Sequence, residues 1–150
     1  LSFPAGTEPF ILTLKVHPGK NKGRLGIVFL PGDGEGIPCE FQINLQERRA
    51  QFAPGSDAKF ADAQKSLREG GLPHHAGDYA IENLINVDGP FEVRVIVKGC
   101  AKLGGTLIDA EIAGSRTMIS YRPDLYVGKM LFRAENTVLA DVRISRLKDC

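Results

Sequence analysis

The chain has 150 residues, 43% of them apolar and 25% charged, enough for one compact domain with its own core. Lysine and arginine number 19 against 18 aspartates and glutamates, a formal charge of +1. The basic residues are scattered among acids, which excludes the footprint of a nucleic-acid binder, and no apolar run approaches the ~20 residues that span a bilayer.

Period-two alternation, the mark of strands with one buried face, recurs along the chain. PFILTLKV (9–16) and GRLGIVFL (23–30) read as the first two strands, joined by the turn-forming HPGKNKG. PGDGEG (31–36) is a second loop. In CEFQINLQ (39–46) Phe41, Ile43 and Leu45 share a face, with Gln42, Asn44 and Gln46 opposite. Residues 53–78 form a long connection in which only Ser56 to Arg68 has near-helical spacing, enough for one turn. YAIENLINV (79–87) resumes the strand pattern. In PFEVRVIVK (90–98) Phe91, Val93, Val95 and Val97 point one way, while Glu92, Arg94 and Lys98 point the other. A strand from Ile108 breaks at Ala113-Gly114-Ser115, a hairpin turn, and a second strand runs on to Tyr121. KMLFRA (129–134) follows. VLADVRISRL (138–147) places Val138, Ala140, Val142 and Ile144 together. Eight or more strands with almost no helix predict an all-β fold, an antiparallel two-sheet β-sandwich. A closed barrel is the alternative. No repeat or linker divides the chain, so residues 1–150 form one domain. The start at Leu1 points to a module of a longer protein.

The enzymatic patterns are incomplete. There is no GxSxG, and Ser115 lies in a turn rather than a nucleophile elbow. His17 precedes Pro18 in a solvated turn. His74 and His75 with Asp78 are metal-ligand types, but adjacent residues of an extended segment point apart. Asp109 and Glu111 share one strand face with Cα atoms roughly 6–7 Å apart, loosely the spacing of paired catalytic acids, though a solvated sheet face looks the same. GDGEG (32–36) lacks the lysine of a phosphate loop. Its Asp33 and Glu35 are a candidate structural Ca²⁺ site, with a bare acidic turn as the alternative. Cys39, Cys100 and Cys150 are an odd count without zinc spacing. Unbridged thiols are the simpler reading, and one disulfide plus a free thiol is the other. No catalytic residue, metal ligand or cofactor is assigned.

What remains is a binding surface. Gln42, Asn44, Gln46, Arg94, Asp109 and Glu111 point outward and offer fixed donors and acceptors. Sugar hydroxyls, which both donate and accept, suit such a surface. The sequence has no tryptophan, so a flat aromatic platform for a polysaccharide is absent. A pocket gripping a chain end by hydrogen bonds fits better.

LREGG (67–71), HHAGDYAIENL (74–84), PFEVRVIVKG (90–99) and above all LIDAEIAGSRTMISYRPDL (107–125), with the closing VLADVRISRL, carry a family resemblance. From Pro9 to Leu147 the chain resembles the concanavalin/laminin-G-like β-sandwich module found C-terminal to β-fructosidase-type glycoside hydrolases, the invertase, inulinase and levanase group. It departs from the commoner pattern by carrying AEIAGSRTMIS where that sandwich has an RSSVEVF-type strand. The resemblance implies a jelly-roll, a non-catalytic role, and recognition of a fructan or other sugar chain end for an attached catalytic domain. It also implies secretion or display at the cell surface. A purely structural accessory domain and a glycoside-acting concanavalin-like enzyme are the alternatives. The residues assigned to the ligand are Tyr79, Glu82, Asn83, Asp109, Glu111, Arg116 and Arg122. Glu111, Arg116 and Arg122 are expected to form one charge network, met by Tyr79, Glu82 and Asn83.

Overall fold

The computed structural model describes residues 9–32, 38–54, 80–100, 105–123 and 125–147. They form ten strands: β1 Phe10–Pro18, β2 Arg24–Pro31, β3 Cys39–Asn44, β4 Arg49–Pro54, β5 Ala80–Ile81, β6 Phe91–Cys100, β7 Gly105–Ile112, β8 Arg116–Pro123, β9 Val127–Glu135 and β10 Thr137–Arg146. Two five-stranded sheets result, β10-β1-β6-β7-β8 and β5-β4-β3-β2-β9, and every pairing is antiparallel. The predicted two-sheet sandwich is the observed fold. Among the described residues there is no helix, and none long and apolar enough to cross a membrane.

The alternating residues behave as the pleat requires. Leu12, Leu14 and Val16 of β1, Val93, Val95 and Val97 of β6, and Ile108, Ala110 and Ile112 of β7 are buried from the first sheet. Leu25, Ile27 and Phe29 of β2, Phe41 and Ile43 of β3, and Ala50 and Phe52 of β4 are buried from the second. All of them belong to one hydrophobic cluster.

Two crossings between the sheets lie side by side. The β1–β2 turn leaves the first sheet for the second, and Asn136 returns the chain from β9 to β10. The Gly19 N–H donates to the Asn136 carbonyl at 2.8 Å. A Cβ on Gly23 would fall on the Glu135 carbonyl, so only glycine lets the two backbones pass this closely.

The β7–β8 hairpin is the predicted one. Ala113 and Gly114 have φ of 52° and 63°, both left-handed. The Ser115 N–H closes the turn on the Ile112 carbonyl at 3.0 Å. This is the mirror-image turn whose twist matches its strands.

Three strand readings change. β4 follows a turn with neither glycine nor proline, and its signal is correspondingly faint. The Asn44 Oδ1 accepts from the N–H groups of Gln46 at 3.1 Å and Glu47 at 3.2 Å, and Arg48 takes the left-handed φ of 51°. Of the strand expected over 79–87, only Ala80–Ile81 pairs, with β4. Asn83 and Asn86 turn left-handed, with φ of 57° and 59°, and end it. In β10 the register to β1 slips between Thr13 and Lys15, where Asp141 has φ 51°. This bulge inserts one residue and reverses the phase. Leu139 and Ile144 face the core, opposite Val16 and Leu12. Val138 and Val142 are exposed, at 63% and 41%, so the expected grouping of Val138, Ala140, Val142 and Ile144 does not hold. The helical turn expected within 56–68 lies outside the described residues.

Because nothing lies within 4 Å of a Cβ at Gly114, the Gly114→Ala substitution tests backbone conformation alone. It is expected to cost about 1–2 kcal/mol in thermal or urea unfolding. Ala113→Gly at the neighbouring left-handed position is expected to raise the midpoint.

Candidate functional site

The outward faces of the two sheets point to opposite sides of the molecule. Period-two alternation separates inside from outside, but it does not say which sheet an outward residue belongs to. Gln42 and Asn44 project from the second sheet, while Arg94, Asp109 and Glu111 project from the first. The single binding surface expected from the sequence is therefore two surfaces, with the sandwich between them.

The outer face of the second sheet carries the pocket. Its strands align outward residues into rows. One row is Glu135, Arg24, Asn44 and Arg49, in register across β9, β2, β3 and β4. The next is Arg133, Gly26, Gln42 and Gln51. The third runs through Leu131, Val28 and Glu40. The side chains of the first two rows and Glu40, together with Leu25, Ile43, Glu47 and Ala134, line a pocket of about 400 Å³, the size of a small-ligand site.

The pocket is mixed, with the polar side chains of the rows standing beside Leu25, Ile43 and Ala134. Gln51 Nε2 donates to Gln42 Oε1 at 2.8 Å, which fixes both amides. The Glu40 side chain is only 4% exposed, and its nearest cation is Arg133, Nη1 to Oε2 at 3.6 Å. That is an ion pair too long for a hydrogen bond. Arg49 Nε is a buried donor without a partner among the described residues. No aromatic side chain lines the pocket among the described residues. The arrangement can hold a ligand by hydrogen bonds, with an acceptor at the floor and arginine donors at the rim.

The residues assigned from sequence are dispersed. Glu111 Oε2 pairs with Arg94 Nη2 at 3.0 Å on the outer face of the first sheet, as their cross-strand register dictates. Asp109 shares that face, opposite Ile96 and Ile119. Arg116 Nη1 reaches the Glu82 carbonyl at 3.4 Å. The Glu82 and Asn83 side chains are exposed. Arg122 is 5% exposed and, like Met118 and Ser120 on its strand, faces the interior. Tyr79 lies outside the described residues, as do Asp33, Glu35, His74 and His75. The structure thus brings Arg116 to Glu82, but does not bring Glu111, Arg116 and Arg122 into one network. Arg94, not Arg116, is the cation that Glu111 meets.

Arg122 meets Cys39 instead. Cys39 is a free, fully buried thiol. Burial pushes it up to about 11, against the pull of the Arg122 guanidinium by charge and hydrogen bonding. Arg122 Nε and Nη2 have no hydrogen-bond partner among the described residues.

A second cluster ties the 82–90 segment down. Asp88 bonds Lys22 Nζ at 2.9 Å and Arg48 Nη2 at 2.7 Å. Those two bonds, the Lys22 bond first, hold its carboxyl below the usual range. Arg48 also donates from Nη1 to the Leu84 carbonyl at 3.1 Å and accepts the Leu84 N–H on its own carbonyl at 3.0 Å. Among the described residues, no group of three histidine, cysteine, aspartate or glutamate side chains could hold a metal ion.

Sequence reading missed Glu40, Arg49, Gln51 and Arg133 as pocket residues. One signal was available. Gly26 interrupts an apolar strand, and an isolated strand glycine marks a close approach of other groups.

No family model matches the chain, and no curated protein matches it. Solved structures do. The carbohydrate-binding module CBM66 from Bacillus subtilis is similar with a TM-score of 0.55 and 7% identity, over 91% of this chain and 74% of that one. The galectin LEC-6 of Caenorhabditis elegans is similar with a TM-score of 0.57 and 12% identity, over 97% and 88%. At these identities the likeness establishes the fold: an all-β, two-sheet jelly-roll sandwich of the kind those two proteins adopt.

The raised Cys39 thiol gives a directional test. In the folded chain it stays protonated at pH 8, and mass-spectrometric mapping after brief iodoacetamide treatment is expected to leave it unlabelled. The neutral thiol favours the fold fully below its ordinary value of 9.0, and that contribution is lost as the pH climbs toward about 11.

Proposed function

We propose that this chain is a non-catalytic carbohydrate-binding module whose ligand sits in the pocket on the outer face of β4, β3, β2 and β9. The observation that carries the reading is the pocket's composition. A nearly buried carboxylate, a fixed amide pair and an unpartnered arginine donor converge on a space sized for one or two sugar residues. Hydroxyls can satisfy all three at once. The two structural neighbours, a carbohydrate-binding module and a galectin, support the same class.

The finer reading is a fructan or other chain end, recognised on behalf of an attached glycoside hydrolase in a secreted or surface protein. The absence of a lining aromatic among the described residues supports it, because a furanose lacks the broad apolar face that pyranoses stack on rings. The sequence resemblance to β-fructosidase-associated modules points the same way.

One observation favours a second reading, a structural accessory domain. On the outer face of the first sheet Ile119 and Leu107 are 54% and 37% exposed, next to half-buried Ile96 and Ile11. Such a patch would suit packing against a neighbouring domain.

Calorimetric titration separates the two. The chain is titrated with fructose, levan-type and inulin-type oligomers and unrelated glucans, with and without Ca²⁺. One class is expected to bind saturably, between millimolar and micromolar. Gln42→Ala and Gln51→Ala should each weaken it roughly three- to tenfold, the worth of a neutral hydrogen bond, with unfolding midpoints little changed. Arg94→Ala, on the opposite surface, should not. Flat isotherms throughout would move the weight to the docking reading.

A further inference from the structure

Gly26 shares a cross-strand row with Arg133, Gln42 and Gln51, three of the residues that line the pocket. It lies mid-strand in β2, between Arg133 on β9 and Gln42 on β3. Glycine within a strand weakens it, so a reason for its presence must come from the surroundings. Its φ is not left-handed, so the backbone does not demand it. The space does. A Cβ built on Gly26 would fall on Glu40 Oε1, and Glu40 Cδ and Cγ lie 3.3 and 3.6 Å from that point. Glu40 belongs to the next row, opposite Val28. Its side chain therefore leans along the sheet and lays its carboxylate in the notch that the missing side chain leaves.

We infer that Gly26 and Glu40 form one specificity device. Gly26 is a positioning residue, and the notched Glu40 carboxylate is the acceptor that selects and orients the ligand. This rests on the sugar-binding reading and adds the ligand chemistry. The carboxylate is an acceptor only, with the Arg133 guanidinium too distant for a hydrogen bond to its Oε2. Lying along the floor, it is reached by paired donors from above. Two adjacent hydroxyls of one sugar residue supply them. A residue whose vicinal hydroxyls are blocked or missing leaves a buried charge unsatisfied and is rejected. An aspartate at position 40, one methylene shorter, keeps the charge but does not reach the notch.

The test uses the whole 150-residue chain and the same fructo-oligosaccharide and glucan panel. Gly26→Ala, Glu40→Gln and Glu40→Asp are each expected to weaken the best ligand at least tenfold. The double variant Gly26→Ala/Glu40→Gln should bind no more weakly than Glu40→Gln alone, because Gly26 acts only through Glu40. A ligand methylated at the vicinal hydroxyls should lose as much affinity for the wild type as Glu40→Gln loses for the parent sugar. Binding within twofold of wild type for Gly26→Ala or Glu40→Asp, or an additive double variant, would overturn the inference while sugar binding stands. If Gly26→Ala does not fold, Glu40→Asp carries the same test. A wild-type chain that binds nothing in the panel overturns the sugar reading and the role of Glu40 as a sugar acceptor. The positioning role is then decided without ligand, by the carboxyl ¹³C resonance of Glu40. A resonance that moves in Gly26→Ala supports the positioning, and one that stays overturns it.

Discussion

Phe29, Phe41 and Phe52 from one sheet and Leu12, Leu14, Ile108, Ile112 and Met118 from the other are sealed in a single apolar cluster. Each such side chain contributes about 1.5–3 kcal/mol by leaving water. Phe41 and Phe52, paired across β3 and β4, sit with ring centroids 5.3 Å apart and tilted by 47°. Every other feature is placed by this contact. A strand that turns one set of residues into the cluster must turn the alternate set outward. Burying Phe41 and Ile43 therefore presents Glu40, Gln42 and Asn44 on the far side of the same sheet. The pocket is the reverse side of the core.

Two charged groups stand against that economy. Glu40 is 3% exposed although it points away from the core, and Arg122 is 5% exposed because it points into it. Burying a charge is unfavourable unless partners compensate. The two cases differ. Glu40 lines the pocket on the outer face of the second sheet, with the Arg133 guanidinium 3.6 Å away. Arg122 lies between the sheets beside Cys39, and its field opposes the effect of burial on that thiol. The loop-side clamp of Asp88 with Lys22 and Arg48 is a different kind of contact. It is exposed and screened, so its role is to position the 82–90 segment rather than to stabilise the fold strongly.

The fold class was legible because β6, β3 and the β7–β8 hairpin alternate cleanly and end at recognisable turns. β4 was not, because its turn is built by the Asn44 side chain and a left-handed Arg48 rather than by glycine or proline. The facing of β10 was misread for a similarly local reason: one left-handed residue, Asp141, reverses the alternation after it. Of the candidate site, Gln42 and Asn44 were identified as outward polar residues. Glu40 shares the outward parity of Gln42 and Asn44 on β3 but was not grouped with them, Arg49 and Gln51 lie on the faint β4, and only Arg133 comes from a strand distant in sequence. Arg122 was expected in a charge network with Glu111 and Arg116, but its parity with Met118 and Ser120 points it inward, away from the face that carries Glu111.

By itself the sequence determined the strands, most of their buried faces, the hairpin at Ala113-Gly114 and the two-sheet class. These depend on local alternation and on backbone preferences at single residues. Tertiary structure alone decided which strands share a sheet, and hence which outward residues become neighbours. Arg133, Gly26, Gln42 and Gln51 form a row only because β9 pairs with β2, β2 with β3 and β3 with β4. Pairing between distant segments is settled by the fit of whole apolar faces, so the chain's local pattern could mark the pocket's residues as outward but could not bring them together.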